Sequence, residues 1–216
     1  MLISVIITTY NSPEFLNKSL ESFLTQKDKN FEIVIADDGS TSDTKELINK
    51  YNSKLKISHA WHEDSGFRAA KIRNEAVKIS SGEYLIFIDG DCMAFNDFIK
   101  KHREISENGF FARGNRVMLS NSFSSRIING DENINLINVR KFIKLRIKKD
   151  LNRILPLLRI NNYPLRKTKL KKWKGAKTCN LGVWKKDFLH INGFDESYVG
   201  WGREDSDLVV RLINSN

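Results

Sequence analysis

Cysteine is scarce, and this limits the covalent and metal-held frameworks that the chain can build. The 216 residues include two cysteines, Cys92 and Cys179, and neither has a neighbouring histidine at metal-ligand spacing. Two cysteines do not make the disulfide framework of a small secreted domain, and their surroundings argue against a structural zinc site. We therefore expect a reduced, cytoplasmic environment, with Cys92 packed behind a neighbouring turn and not acting as a nucleophile.

Long apolar runs are also lacking. No stretch approaches the roughly 20 apolar residues that a membrane-spanning helix needs. The opening segment, residues 1–7, is too short for the apolar part of a signal peptide and has no basic flank. We expect neither a membrane span nor a secretory leader, and we place the chain in the cytoplasm or peripherally at the inner face of the plasma membrane.

Glycine-rich phosphate loops are missing from the first strand-to-helix connection. That connection reads Asn11-Ser12-Pro13, and it contains neither G-x-G-x-x-G nor the Walker-type G-x-x-x-x-G-K. The sequence therefore supports neither a dinucleotide-binding fold nor a P-loop. Any phosphates would be held through a metal ion and side chains.

Acidic residues are rare in one basic segment. From Arg140 to Lys177 the chain has fifteen Lys or Arg and one acid, Asp150. The segment has a formal charge of +14, whereas the whole chain has a net charge of +10, so the other residues sum to −4. Apolar residues alternate with the bases, and two interpretations stay open: a solvated amphipathic helical insertion, or a pair of interfacial helices that bind anionic lipid. Nucleic acid is disfavoured because the segment has few aromatic side chains for base stacking.

Outside this segment, apolar strands alternate with amphipathic helices. With 40% hydrophobic residues the chain can bury one substantial core, and strand–helix alternation with short turns indicates right-handed βαβ units and a parallel sheet. Ser12 and Pro13 are a typical N-cap and first position of a helix, and Ser42 and Asp43 cap the next one. The predicted strands are 3–10, 31–36, 55–60, 84–88, 109–119 and 177–184, and the predicted helices are 13–25, 42–51, 68–77, 95–107 and 208–213.

Acidic side chains follow two of these strands. Asp37 and Asp38 come directly after the second strand, and Asp89 and Asp91 follow the buried run Tyr84–Ile88. Open α/β sheets bind ligands at the carboxyl ends of their strands. Two carboxylates on a tight glycine turn suit a divalent cation that also bridges substrate phosphates, although a bare Asp-x-Asp can equally be a solvated turn.

A second acidic pair begins the last predicted helix. Glu204 and Asp205 lie where the helix dipole favours carboxylates, so capping alone is one interpretation. Trp201, between two glycines just before them, exposes a flat apolar face that suits stacking on a sugar ring. This arrangement favours a carbohydrate site over capping alone.

Five motifs in this order resemble inverting family 2 glycosyltransferases of GT-A fold. They are Val5–Asn11, Asp37–Ser40, Arg68–Asn74, Asp89–Asp91 and Gly200–Asp205. The last part is similar to the galactosyltransferase-type module of bacterial chondroitin polymerases and β-1,4-galactosyltransferases. The resemblance covers residues 1–118 and 176–213.

The resemblance implies an α/β, Rossmann-like GT-A domain with a mixed, mainly parallel sheet flanked by helices. Residues 1–118 would be its nucleotide-sugar-binding half, 119–175 a basic amphipathic insertion, and 176–216 the acceptor-side segment that carries the base.

The resemblance also implies roles for individual residues. Asp205 would be the catalytic base, Glu204 would contact acceptor hydroxyls, and Asp91 would bind Mn²⁺ or Mg²⁺. The implied nucleotide-binding residues are Thr8, Tyr10, Asp37, Asp38, Arg68 (with Arg73 as a possible substitute) and Asp89, and the implied sugar or acceptor contacts are Trp201, Gly202 and Asn180.

Two positions depart from the family pattern. A further metal ligand, often a histidine downstream of the final helix, has no counterpart among His59, His62, His102 and His190. Either the sequence is part of a longer chain, or Asp91, the diphosphate and water hold the metal. Ser206 stands where the galactosyltransferase pattern tends to have another acid, so the acceptor stays open.

The expected function is transfer of a hexose, of Gal, GalNAc, Glc or GlcNAc type, from a UDP-sugar to a hydroxyl of a surface glycan or lipid-linked oligosaccharide. Capsule or lipopolysaccharide-type synthesis would use such a step. A sugar nucleotidyltransferase is an alternative, but those enzymes favour a glycine-rich basic loop where Tyr10–Pro13 stands. The other alternative is a non-catalytic module that binds anionic membrane or nucleic acid through residues 140–177.

Overall fold

The computed structural model describes residues 1–134, 137, 139–157 and 173–215, which form two compact units. Unit 1 comprises Met1–Gly114 and Trp173–Asn216, and unit 2 comprises Asn115–Lys172. The strands are β1 Ile3–Thr9, β2 Phe31–Asp37, β3 Ile57–Trp61, β4 Tyr84–Asp89, β5 Ala112–Arg113 and β6 Leu181–Trp184. The helices are α1 Pro13–Leu24, α2 Ser42–Asn49, α3 Ala69–Ile79, α4 Phe98–Ile105, α5 Asn121–Ile128, α6 Val139–Ile147, α7 Lys185–His190 and α8 Glu204–Asn214.

Unit 1 is built on one six-stranded sheet in the order β3-β2-β1-β4-β6-β5. The pairs β2–β3, β1–β2 and β1–β4 are parallel, whereas β6 runs antiparallel to β4 and to β5. This confirms the expected mixed, mainly parallel sheet. Since the first four strands all point the same way, the polar residues that follow them meet at a single edge.

Both faces of the sheet are buried, which explains the nearly continuous apolar strands. Along β4, Leu85 and Phe87 point into a cluster that includes residues of α3 and α8. The alternate residues Ile86 and Ile88 point into a second cluster, which includes residues of α1 and α2. Helices therefore cover both faces and leave the ends of the strands for ligands.

Several element boundaries differ from the predicted ones. The Ser12 side chain does not cap α1, because its hydroxyl donates to the Tyr10 carbonyl (3.0 Å) instead. Thr41 is the N-cap residue of α2, and Ser42 and Asp43 lie in its first turn. The third strand is shifted to Ile57–Trp61.

The predicted strand 109–119 was wrong. Only Ala112–Arg113 pairs in the sheet, and Leu119 instead makes an isolated bridge with Leu151 in unit 2. The last helix begins at Glu204, so the acidic pair lies in its first turn as predicted, one turn before the predicted apolar run from Leu208. Arg203 precedes it in the left-handed region (φ 76°), so the helical start is not marked by an ordinary capping residue.

Unit 2 contains α5 and α6, and Phe123, Phe142 and Leu145 of these helices are buried. Asp150 is buried and accepts hydrogen bonds from the Ser120 hydroxyl (2.7 Å) and from Arg126 (3.0 Å). Only part of the predicted basic insertion is helical here, and residues 158–172 lie outside the described residues. No helix in the described part of the chain is long and apolar enough to cross a membrane.

Candidate active site

The carboxyl edge of the sheet brings the ends of β1, β2 and β4 together. The strand register pairs Thr8 with Asp89 and Thr9 with Asp37. Two turn amides donate to the end of β1: Gly90 N–H to the Thr8 carbonyl (2.7 Å) and Asp38 N–H to the Thr9 carbonyl (3.0 Å). The acids that follow β2 and β4, far apart in the sequence, therefore flank the end of β1.

Asp37 and Asp38 are buried, and each carboxylate is held by a histidine. His59 Nε2 lies 2.8 Å from Asp37 Oδ2, and His62 Nε2 lies 2.7 Å from Asp38 Oδ1. The other oxygen of Asp38 accepts from the Arg68 backbone N–H at 2.8 Å. Sequence reasoning missed both histidines, because only the pairing of β3 with β2 brings them to these acids.

Tyr10 is exposed and is tied to the loop after β3. Its hydroxyl donates to Asp64 Oδ2 at 2.8 Å, and this bond raises the pKa of Tyr10 and lowers the pKa of Asp64. Gly39 approaches the same loop closely: a Cβ built on it would lie 2.6 Å from the Asp64 Cα. The connections after β1, β2 and β3 thus form one packed rim.

Arg73, a buried residue of α3, joins this rim to the second acidic pair. Its Nε donates to Thr8 Oγ1 (2.9 Å), and its Nη1 donates to Glu204 Oε1 (3.2 Å). The guanidinium also lies 3.7 Å from one oxygen of Asp89 and 3.7 Å from Asp205 Oδ1. One side chain therefore contacts groups from β1, β4 and α8.

Glu204 and Asp205 stand in the first turn of α8 and face Arg73. Glu204 is buried, and its Oε2 has no hydrogen-bond partner in the described part of the chain. Asp205 Oδ2 accepts from the Thr178 backbone N–H at 3.2 Å, whereas its Oδ1 is buried without a hydrogen-bond partner among the described residues. An unsatisfied carboxylate oxygen costs stability, and it is available to accept a proton or a hydrogen bond from a ligand.

The turn after β4 offers a group of possible metal ligands. Ligand atoms of Asp89, Asp91 and Cys92 all lie within 4.8 Å of one another. Burial raises the pKa of the Cys92 thiol far above its usual range, and that thiol donates to Asp91 Oδ1 at 3.3 Å. Two hard carboxylates beside a neutral thiol fit Mn²⁺ or Mg²⁺ better than a thiolate-seeking metal.

The three implied sugar contacts have different surroundings. Trp201 is 89% exposed between Gly200 (φ 91°) and Gly202 (φ 100°), a backbone that glycine adopts without strain. Asn180 lies just before β6, but its Oδ1 accepts from His102 Nε2 at 3.0 Å. Complete burial lowers the pKa of His102 to about 4. The structure thus places an open aromatic face near α8 and a structurally engaged amide at Asn180.

The predicted site residues therefore fall into connected groups. Direct contacts join Thr8, Asp89, Glu204 and Asp205 through Arg73, and Asp38 is joined to Arg68. Asp37, Tyr10 and Asp91 lie at the same edge, bound to His59, Asp64 and Cys92 respectively. The described contacts do not link Trp201 or Gly202 to these groups.

Two family models and several known proteins are similar to this chain. The model of the glycosyl transferase family 2 matches residues 4–149, and a model described as the N-terminal domain of galactosyltransferase matches residues 164–216. Validoxylamine A glucosyltransferase of Streptomyces hygroscopicus subsp. jinggangensis is 28% identical over 98% of this chain and 51% of that protein. Hyaluronan synthase of Pasteurella multocida is 27% identical over 98% of this chain and 22% of that protein. The chain thus spans about half the length, or less, of these two curated relatives.

A solved structure shares the fold. The crystal structure of S. aureus TarS 1–349 in complex with UDP-GlcNAc matches with a TM-score of 0.64 at 20% identity. The match covers 99% of this chain and 53% of that chain. At this identity the similarity shows the fold alone.

Proposed function

Because the chain belongs to glycosyl transferase family 2 and has the GT-A fold, we propose that it transfers a hexose from a UDP-sugar to an acceptor hydroxyl with inversion. The acceptor is a surface glycan or a lipid-linked oligosaccharide of capsule or lipopolysaccharide type. Support comes from relatives named hyaluronan synthase and chondroitin synthase and from the UDP-GlcNAc complex of TarS. The family match also favours transfer over the nucleotidyltransferase alternative.

The observation that carries this proposal is the position of Arg73 between two sets of side chains. On one side it contacts Thr8 and Asp89, which end the strands where the nucleotide is expected. On the other side it contacts Glu204 and Asp205 at the start of α8. A site with donor-binding groups on one side and a carboxylate base on the other fits a single displacement between two bound substrates.

Asp205 is the base in this proposal. Its carboxylate accepts the proton of the acceptor hydroxyl while the hydroxyl oxygen attacks the anomeric carbon from the face opposite UDP. The new carbon–oxygen bond forms as the bond to the diphosphate breaks, and UDP leaves with that electron pair. Such a displacement needs one base and no enzyme nucleophile, so the anomeric configuration inverts.

The donor end is held by side chains at the strand ends. Asp37 and Asp38 accept hydrogen bonds from the uracil N–H and the ribose hydroxyls, and their histidine partners fix the two carboxylates in place. Thr8, Tyr10 and Arg68 complete the nucleotide contacts. Trp201, Gly202 and Asn180 would contact the donor and acceptor sugars.

Asp89 and Asp91 are the residues that would hold Mn²⁺ or Mg²⁺, with Asp89 also facing the ribose. When bound, the metal supplies Lewis-acid stabilisation of the negative charge on the departing diphosphate. The neutral Cys92 thiol supports Asp91 as a hydrogen-bond donor. Asp91 is exposed at the turn, so its second carboxylate oxygen can reach a ligand.

The test is release of UDP from a panel of UDP-sugars, with Mn²⁺ or Mg²⁺ and with EDTA as the control. We expect metal-dependent UDP release with one or a few of UDP-Gal, UDP-GalNAc, UDP-Glc and UDP-GlcNAc. An Asp91→Ala variant should bind UDP more weakly in the presence of metal but equally in EDTA. A folded protein that releases no UDP from any of them would contradict the proposed donor class.

A further inference from the structure

Helix α6 in unit 2 has an exposed apolar stripe that the proposed reaction does not use. Val139, Ile143 and Ile147 follow one another at four-residue spacing and are 55%, 46% and 75% exposed. The opposite side of the helix is anchored, because Phe142 and Leu145 are buried. Three exposed β-branched residues in a row are costly in water, and scattered surface apolar residues do not account for their alignment.

A basic stripe runs directly beside the apolar one. Arg140, Lys144 and Lys148 are each one position further along, so they lie at the same four-residue spacing on the neighbouring side of the helix. All three are exposed, and none has an ion-pair partner among the described residues. Arg146 lies on the other flank of the apolar stripe. An apolar stripe edged by cations is typical of helices that lie in a bilayer interface.

The basic stripe forms one wall of a cavity of about 580 Å³ within unit 2. Two of the cavity's cations are already paired: Arg126 lies 3.0 Å from Asp150, and Lys141 bonds to Glu132. The three stripe cations therefore provide the uncompensated positive charge of the wall. The cavity is lined by Arg126, Glu132, Arg140, Lys141, Lys144, Leu145, Lys148 and Asp150.

We propose that this surface of unit 2 binds anionic phospholipid at a bilayer surface. The lipid phosphate enters the cavity beside Arg140, Lys144 and Lys148, and the apolar stripe enters the boundary between headgroups and acyl chains. A soluble phosphate or a nucleic acid would satisfy the cations, but it would leave the isoleucines in water. A neutral bilayer would cover the isoleucines and leave the cations unpaired, so only an anionic bilayer matches both stripes.

This inference does not depend on sugar transfer. It gives the chain a docking site at the membrane face where a lipid-linked acceptor would be found. UDP release to water from a soluble donor needs no membrane, so a failure of one proposal leaves the other intact.

The test is co-sedimentation of the whole protein with vesicles of phosphatidylcholine, with or without phosphatidylglycerol. We expect binding only to vesicles that contain phosphatidylglycerol, weakening as salt is added. Lys144→Gln combined with Lys148→Gln should weaken this binding about 30-fold, because each basic residue near an anionic surface contributes roughly fivefold. Lys45→Gln combined with Lys50→Gln, which removes two exposed charges near α2, is the matched control and should bind like the unaltered protein.

The apolar stripe separates a membrane from other anionic partners. Ile143→Gln combined with Ile147→Gln should weaken vesicle binding about tenfold or more while the charge is unchanged. These side chains are exposed, so circular dichroism and thermal unfolding should stay as in the unaltered protein. The proposal is overturned by equal binding to neutral vesicles, by no binding to either kind, or by tight binding to homopolymer RNA that the isoleucine substitutions leave unchanged.

Discussion

Arg73 matters because it is a buried charge with several partners at once. Its side chain is 5% exposed and that of its partner Glu204 is 9% exposed, so neither charge can be solvated by water. Removing one member of such a pair leaves an uncompensated charge, which is more damaging than loss of a surface ion pair. We therefore expect both stability and the proposed transfer to depend on this one side chain.

We predict that Arg73→Met lowers the free energy of unfolding by about 3–5 kcal/mol and abolishes UDP release. Methionine is apolar, and its unbranched side chain replaces the stem of the arginine. The loss of stability therefore reports the missing charge and not a cavity. Urea denaturation gives the stability, and the UDP-release assay gives the activity.

The double variant Arg73→Met with Glu204→Gln tests the cause. If the stranded Glu204 charge causes the loss, adding Glu204→Gln should recover part of the stability without restoring turnover. If the double variant loses as much stability as the two single variants together, Arg73 and Glu204 are not coupled.

Asp205→Asn is predicted to bind a UDP-sugar normally and to lower transfer by about 10²–10⁴-fold, the usual contribution of a positioned general base. Asparagine keeps the shape and the hydrogen bond from Thr178 but cannot take up the proton. Calorimetry measures binding and turnover measures transfer.

A matched control exists in the same helical turn. Asp207 is bound by Arg211 at 2.6 Å and is not among the described partners of Arg73, so Asp207→Asn removes the same charge without touching the proposed base. It should retain most of the turnover. Near-normal transfer by Asp205→Asn would remove the base assignment.

The sequence predicted which acids meet, but it gave less weight to the arginine that joins them. The resemblance favoured Arg68, whose backbone N–H contacts Asp38, and named Arg73 only as a substitute. Arg73 lies on the buried face of α3 between Ala70 and Val77, and a cation at such a position is a readable signal. The histidine partners of Asp37 and Asp38 have no such local signal, because strand pairing alone brings β3 beside β2.

At the scale of elements, periodicity predicted the bodies of β1–β4 and α1–α4 better than their ends. Apolar spacing placed α1, α3 and β4 well, since burial on the sheet fixes these faces. Helix starts depend on single local bonds, and Ser12 uses its hydroxyl for Tyr10 instead of for the helix. At α8 the acidic pair Glu204 and Asp205 indicated the first turn, although the left-handed Arg203 before it carries no capping signature.

The loops that follow the strands position the site as much as the strands do, and a substitution at Gly39 tests this. Gly39→Ala must accept a positive φ (+96°) and a Cβ 2.6 Å from the Asp64 backbone. We predict that overpacking and backbone strain together lower the free energy of unfolding by about 2–4 kcal/mol. UDP binding should also weaken, because the rim that includes Asp38 shifts.

The control for Gly39 is Gly109→Ala. Gly109 also has a positive φ (+75°), but a Cβ there would meet nothing within 4 Å. Gly109→Ala should lower the free energy of unfolding through backbone strain alone, by about 1–2 kcal/mol, and leave UDP binding unchanged. Equal losses in the two variants would show that the close approach to Asp64 is unimportant.

At the scale of the whole molecule, unit 1 is discontinuous in sequence. Its last strands, β5 and β6, pair with each other although unit 2 separates them along the chain. Charge composition marked the basic middle of the chain, but not the place where unit 1 resumes, because nothing local in Trp173–Lys177 shows that β6 will pair with β4. The pairing of β6 with β4 depends on how the whole core of unit 1 packs and not on the residues of Trp173–Lys177.

Unit 1 should fold and bind UDP without unit 2. The chain ends that flank unit 2 are already close, since Arg113 Nη1 donates to the Lys174 carbonyl (2.6 Å) and Gly114 N–H to the Asn180 carbonyl (2.8 Å). A short glycine–serine linker in place of residues 115–172 can therefore join them without straining β5 or β6. Every residue proposed for the donor and for the base remains.

We expect this shortened chain to unfold cooperatively, to bind UDP with metal as the full chain does, and to lose binding to phosphatidylglycerol vesicles. Full-length protein with Lys144→Gln and Lys148→Gln is the comparison, because it loses the same vesicle binding with unit 2 still present. A shortened chain that folds but no longer binds UDP would mean that unit 2 takes part in the donor site. If the shortened chain still binds the vesicles, the membrane surface belongs to unit 1, and the cations of α6 have another use.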